Sequence, residues 1–426
     1  MNLRDLLRAP HITPSCVVTQ MSSYSGDRIR QARVIRFRTS KELADQLGWS
    51  PPRLTKVERA DAVEVTFAEA KRLQTYLGFS DEFFRTEPDP LVTEADLLFR
   101  APRRTTKREK SYLAEFARLV QRLIAQLDAR HRLPSVRLPS EIFRIDELPA
   151  LANAARKTLQ LEPDQPIGHL THSLERAGVV IVVRPTGLSP DDERRFDDGS
   201  GNRFSEVHHG YSTWVGMFRE RPLIVMRAST SWERTRWTVS HELGHLLLHR
   251  TDLPNSAEED ASRFASELLA PLRAVAPEIP IPATLAGLVP IKKKWGISLG
   301  ALLPHLRDGG VITEARFQAL RTQLYTRRNP ETGRTWGLDE PGWNERKPER
   351  PRLLSAWIER DLGTTDPQAV SSMLPFFPAD VLAQILREQR HPGSARAGWQ
   401  ASGRQGEIAE VRSLFGGRSE GGRDSK

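Results

Sequence analysis

Residues 238–249 read Thr-Val-Ser-His-Glu-Leu-Gly-His-Leu-Leu-Leu-His. A string this apolar, broken by polar residues at such intervals, suits a buried helix with one polar stripe. On an α-helix, residues four apart lie on one face. His241 and His245 can therefore offer both imidazoles to one ion. Glu242 falls about 100° round the helix, close enough to reach a water on that ion without ligating it. Trp237, Leu246, Leu247 and Leu248 supply the apolar surface that buries the helix. Zinc lowers the pKa of a water it holds from about 15.7 toward 7, and a carboxylate can then take the proton.

A catalytic zinc needs a third protein ligand and one open position. Cys16 is the only cysteine, so a disulfide within the chain and a cysteine-based zinc finger are both excluded. The segment Asn255–Pro271 carries an apolar stripe at Ala261, Phe264, Ala265, Leu268 and Leu269. Glu258 extends that stripe by one turn and is the expected third ligand. Glu259 falls off it, and with Ser256 it has the spacing of a capping box. Glu259 and Asp260 remain the alternative ligands, and an N-cap at Asn255 would shift the register. A competing reading has the acidic cluster only complementing the helix dipole. His249 lies one more turn along the histidine face and is either a partner of the ligand rings or simply buried, with burial the favoured reading. His208, His209 and Tyr211 are candidates for stabilising an oxyanion.

These residues resemble the ImmA/IrrE family of metallopeptidases. The resemblance rests on His241-Glu-Leu-Gly-His245 and on Glu258-x-x-Ala261-x-x-Phe264-Ala265-x-Glu267-Leu-Leu-x-Pro271. The Pro222-Leu-Ile-Val strand and the Glu233-Arg-Thr-Arg-Trp-Thr approach fit it too. Leu98-Phe-Arg-Ala101 and Trp295-Gly-Ile-Ser298 are similar to segments of its longer members, so the likeness covers roughly residues 90–350. It implies a small zincin-like fold and one Zn2+ per chain, with Mn2+ as the alternative metal. It also implies Glu258 as third ligand and a protein substrate such as a transcriptional repressor. Ser262 stands where asparagine is common, and Ala270 where methionine is usual.

A chain of 426 residues exceeds one ordinary core. The expected organisation is a helix-turn-helix domain at 24–87, a helical linker region at 88–144 and a zincin-like domain at 145–275, then a mostly helical region at 276–390 and a disordered tail at 391–426. The expected fold class is multidomain and mainly α, with a small α+β zincin-like domain and an all-α N-terminal domain. Leu113, Phe116, Leu119, Val120, Leu123 and Leu127 recur at helical spacing within 108–130. Strands are expected at Val179–Val183, Tyr211–Phe218 and Pro222–Met226, and helices at about 231–250 and 256–270. The polar stretch 185–207 reads as loop. No apolar run approaches the roughly 20 residues of a membrane span. The N-terminus lacks the apolar core of a secretion signal. A cytoplasmic protein without a membrane partner is expected.

The formal net charge is +9, which favours polyanion partners. Residues 26–86 resemble the helix-turn-helix domain of the Xre/Cro/C1 repressor type, on Leu43-Ala44, Gly48, Leu54 and Glu58. Ser40 replaces a frequent glutamine and Ala60 a frequent glycine. The resemblance implies a double-stranded DNA partner, with the third helix, about Pro51–Glu58, in the major groove. Arg53 and Lys56 would reach bases or phosphates, with Ser50 and Thr55 as polar contacts. Arg28, Arg30, Arg36 and Lys41 would touch phosphates, and Glu58 would pair internally with Arg33. The leading expectation is a zinc endopeptidase fused to a DNA-binding domain, with an oligomer left open. The alternatives are a non-enzymatic Xre-type regulator or an antitoxin with a structural or sensory metal site. A small helical interaction module is the plainer reading of residues 26–86.

Overall fold

The computed structural model describes residues 21–98, 106–140, 147–184, 210–229, 231–250 and 253–389. The expected loop at 185–207 and the expected tail at 391–426 lie outside them. The chain divides into two compact units, Met1–Pro88 and Asp89–Lys426. Among the described residues no helix is long and apolar enough to cross a membrane.

The first unit contains helices α1 (Gly26–Ile35), α2 (Ser40–Leu47), α3 (Pro51–Glu58), α4 (Phe67–Leu77) and α5 (Asp81–Arg85). Their ends follow local chemistry. The Thr39 hydroxyl accepts from the Glu42 amide while the Glu42 carboxylate accepts from the Thr39 amide, a reciprocal cap. Gly48 (φ 68°) closes α2 in the left-handed region, which costs glycine nothing. Ser50 caps α3, with Pro51 in its first turn. The unit is not all-α. Strand β1 (Met21–Tyr24) pairs antiparallel with β2 (Val63–Thr66), Met21 opposite Thr66. Each strand has four residues, too few for alternation to stand out, and the pairing joins distant parts of the chain. Thr66 accordingly ends a strand and caps α4.

In the second unit a 3-10 turn at Glu94–Asp96 precedes α6 (Lys107–Arg130), whose stripe from Leu113 to Leu127 is buried. Next come α7 (Leu148–Thr158), α8 (Leu170–Arg176) and strands β3 (Val180–Val183), β4 (Gly210–Val215) and β5 (Arg221–Met226). The sheet order is β3-β5-β4, with β3 parallel to β5 and β4 antiparallel to it. Helices α9 (Trp232–Leu248) and α10 (Ala257–Leu269) follow. Ile181, Val183, Ile224 and Met226 share a core with Val239 and Leu243 of α9 and Phe264 and Leu268 of α10. Val180 and Val182 turn to the opposite face and are equally buried. A strand apolar at every position is what a sheet covered on both faces requires. Strand β4 stops at Val215 instead of reaching Phe218, because Gly216 (φ 101°) begins the turn.

Helices α11 (Leu272–Val275), α12 (Leu285–Trp295), α13 (Leu299–Asp308) and α14 (Glu314–Thr326) build a second core around Leu288, Trp295, Leu302 and Leu320. Beyond it lie α15 (Leu353–Leu362), α16 (Pro367–Met373) and α17 (Ala379–Gln389). The buried Glu175 of α8 accepts from the Arg352 and Leu353 amides at 2.9 and 2.8 Å, closing the open start of α15.

Candidate metal centre

Helices α9 and α10 lie against each other at Gly244. A Cβ there would sit 3.0 Å from the Phe264 ring and 3.1 Å from the Ala261 Cα. The missing side chain lets the two backbones approach, and the approach brings Glu258 to the histidines. His241 Nε2 and His245 Nε2 are 3.2 Å apart. Glu258 Oε2 lies 3.3 Å from His241 Nε2, and Oε1 lies 3.5 Å from His245 Nε2. Tetrahedral coordination with bonds near 2.1 Å puts ligand atoms about 3.4 Å apart. The three separations, taken to one or other Glu258 oxygen, are of the size that three ligands of one such ion require. The set of two imidazoles and a carboxylate suits zinc. His241 and His245 are buried, whereas the Glu258 side chain is 35% exposed, so access lies on the Glu258 side.

The other two acids of α10 do not join this group. Glu259 is exposed. Asp260 is buried but outside the cluster of three. The expected Ser256 cap does not form: Ser256 has helical backbone angles and no side-chain cap bond, so α10 begins without one.

Two hydrogen bonds orient the imidazoles. The Ser262 hydroxyl donates to the Glu258 carbonyl at 2.7 Å and sits 3.3 Å from His241 Nδ1, placed to accept that ring's proton. His245 Nδ1 is 3.0 Å from His249 Nδ1. Burial and the neighbouring His245 push His249 down to about 4, so its ring is neutral and can accept. Each contact suits the tautomer that carries its proton on Nδ1 and would leave Nε2 free for a metal. His249 is thus more than a buried residue. Its spacing, one turn past His245, was the available signal. Ser262 likewise lies one turn past Glu258 on α10.

Glu242 is buried beside this group, 3% exposed. Its Oε2 accepts from the Ser212 hydroxyl at 2.9 Å. Burial pushes its pKa up to about 7, against the pull of His245 and the Ser212 bond. A cation on the three ligands would bring it back down. Burial also lowers His241, whereas in His245 the Glu258 bond and the nearby carboxylates outweigh burial and raise it.

Alternation along β4 decides which of its side chains reach this site. Ser212 and Trp214 face α9: Ser212 bonds Glu242, and the Trp214 indole donates to the Leu246 carbonyl at 3.3 Å. Tyr211 therefore faces the other way. Its phenol is buried and donates to the Leu113 carbonyl of α6 at 2.8 Å. That geometry removes Tyr211 as an oxyanion donor. His208 and His209 lie outside the described residues. No sequence pattern pointed to Ser212.

In the first unit, Ser50, Arg53, Thr55 and Lys56 are all exposed on α3. Three have local partners. The Ser50 hydroxyl caps the Arg53 amide, and Thr55 donates to the Pro51 carbonyl at 3.1 Å. Arg53 pairs with Glu69 at 2.7 Å and lies over Trp49. Lys56 has no hydrogen-bond or ion-pair partner among the described residues. Glu58 holds Arg33 through two bonds of 2.6 and 2.8 Å. Two expected phosphate contacts take other roles. Arg28 is 1% exposed and donates to the Thr86 and Glu87 carbonyls. Arg36 donates to the Leu77 and Gly78 carbonyls. Both guanidiniums serve main-chain acceptors within the unit.

Residues 174–306 match the IrrE N-terminal-like domain model of the Peptidase_M78 family. The matched stretch holds both histidines, Glu242 and Glu258, and supports a metallopeptidase of the ImmA/IrrE type. No curated protein matches the chain.

Proposed function

We propose that this chain is a zinc-dependent endopeptidase joined to a DNA-binding unit, and that it cleaves a transcriptional repressor or a similar regulator. One observation carries the reading. Two imidazole nitrogens and one carboxylate converge at metal-ligand spacing, with a second, buried carboxylate beside them. His241, His245 and Glu258 would hold the ion. A divalent metal there supplies Lewis acidity, polarising a carbonyl and acidifying water. Glu242 takes a proton from the attacking water and returns it to the leaving amine. Ser212 holds the Glu242 carboxylate in place while it does so. Ser262 and His249 keep the ligand rings in the coordinating tautomer.

The DNA-binding half of the proposal is supported by the α2–Gly48–α3 arrangement and by an exposed α3. Ser50 and Thr55 would offer polar contacts, and Arg53 and Lys56 cationic ones, to double-stranded DNA. Arg53 would first have to leave Glu69.

The deciding experiment pairs metal analysis with cleavage of repressors encoded beside this gene. Glu242→Gln should retain the wild-type metal content and lose cleavage by about 100-fold or more. Equal cleavage by wild type and variant overturns the enzymatic reading.

A further inference from the structure

The second unit holds a cavity of about 240 Å³ away from the metal ligands. Its walls include His169, Trp232, Arg346, Lys347, Arg350 and Arg352, with Glu349 as the one acid. That carboxylate is already occupied. Oε1 accepts from Arg236 at 2.7 Å, and Oε2 accepts from the Thr171 amide at 2.8 Å with His169 Nδ1 3.3 Å away. Arg350 is paired with Glu388. Arg346 and Lys347 have no hydrogen-bond or ion-pair partner among the described residues. Both are exposed at the cavity.

Trp232 organises this surface. The Arg346 guanidinium lies 4.4 Å from its ring centroid, and Arg236 lies 4.7 Å from it. Contact with an aromatic face orients a guanidinium but leaves its N–H groups unused. Arg236 is fully buried behind Trp232 and Glu349, and its Nε and Nη2 have no hydrogen-bond partner. The cavity thus carries excess positive charge with the fork geometry that suits oxyanions.

We propose that this cavity binds a small dianion, the phosphate or dicarboxylate group of a metabolite, held by Arg346 and Lys347 beside Trp232. The site is distinct from the metal centre. Trp232 and His241 are nine residues apart on α9, a rise of roughly 13 Å.

The test titrates inorganic phosphate and, separately, malonate into the full-length protein at constant ionic strength, followed by calorimetry. Expected is saturable binding of one anion per chain, weakened by about 10-fold or more in Arg346→Ala/Lys347→Ala. A charge-matched Lys107→Ala/Arg321→Ala variant should bind as the wild type does. Phosphate alone binding identifies a phosphate group as the ligand. Malonate alone identifies a dicarboxylate, and both together support the shared dianion chemistry. Non-saturable heats with both anions, or equal affinity in the two double variants, overturn the proposal. The readout does not require peptidase activity, so it stands or falls separately from the proposed function.

Discussion

The facing helices α9 and α10 and the exposed helix α3 both carry polar side chains, but under opposite constraints. On α9 the two imidazoles and Glu242 are buried, and each has a polar partner: His241 has Ser262, His245 has His249 and Glu242 has Ser212. A buried polar group without a partner costs about 1–3 kcal/mol, so the arrangement is strongly determined. At α3 the side chains of Ser50, Thr55 and Arg53 face solvent and are engaged by a cap, a carbonyl and a surface ion pair, and Lys56 meets water alone. Water can replace any of those partners. Packing therefore fixes the polar groups between α9 and α10, whereas the outer side chains of α3 remain in water.

The sharpest way to break this contrast is at Gly244. Gly244→Leu forces a side chain into Phe264 and Ala261, which should cost about 3 kcal/mol and part α10 from α9. Thermal melting and metal analysis should show a less stable protein that no longer retains metal. Unchanged metal content would show that close helix approach is not what positions Glu258. The next effect is smaller. His249→Ala and Ser262→Ala should each weaken metal affinity by about 10–100-fold with the fold intact, as measured by chelator competition. An unaltered affinity would reduce both residues to packing.

Glu175 separates burial from metal chemistry. It is fully buried in the same unit, and burial pushes it up to about 8 despite the Leu353 and Arg352 amides. The folded state then holds this proton more tightly than the unfolded state, whose value is the ordinary 4.5. Its contribution to stability is complete below about pH 4.5 and is lost as pH rises through about 8. Glu175→Gln keeps an oxygen for both amides and removes the titration. Melting temperatures of variant and wild type should therefore diverge in the variant's favour between pH 5 and 8, flattening its pH slope. Parallel curves would contradict this account. The smallest effect on folding belongs to α3. Lys56→Ala should change stability by less than about 0.5 kcal/mol. If α3 binds DNA as proposed, the same change lowers the salt slope of binding by about one.

Much of the local structure was legible because it follows short-range rules. The α6 stripe and the four-residue histidine spacing depend only on neighbours within a turn or two. The β1–β2 ribbon was not legible, since four-residue strands carry little pattern and their pairing is long-range. Nor was the fate of Arg28, which resembled a surface cation until its main-chain acceptors were seen. Tyr211 and Ser212 make the same point. Adjacent in the chain, they face opposite sides of one strand, and nothing in either residue type says which side holds Glu242.

The sequence alone determined that one helix would present His241 and His245 together, because helical periodicity is a property of the backbone. Tertiary structure decided which groups gather beside them: Glu258 comes within 3.5 Å of both rings, Glu259 and Asp260 stay outside the cluster, and Ser212, Ser262 and His249 make hydrogen-bond contacts around it. Those choices depend on how closely α10 and β4 approach α9. That approach is set by the shapes of side chains distant in sequence, which no local pattern encodes.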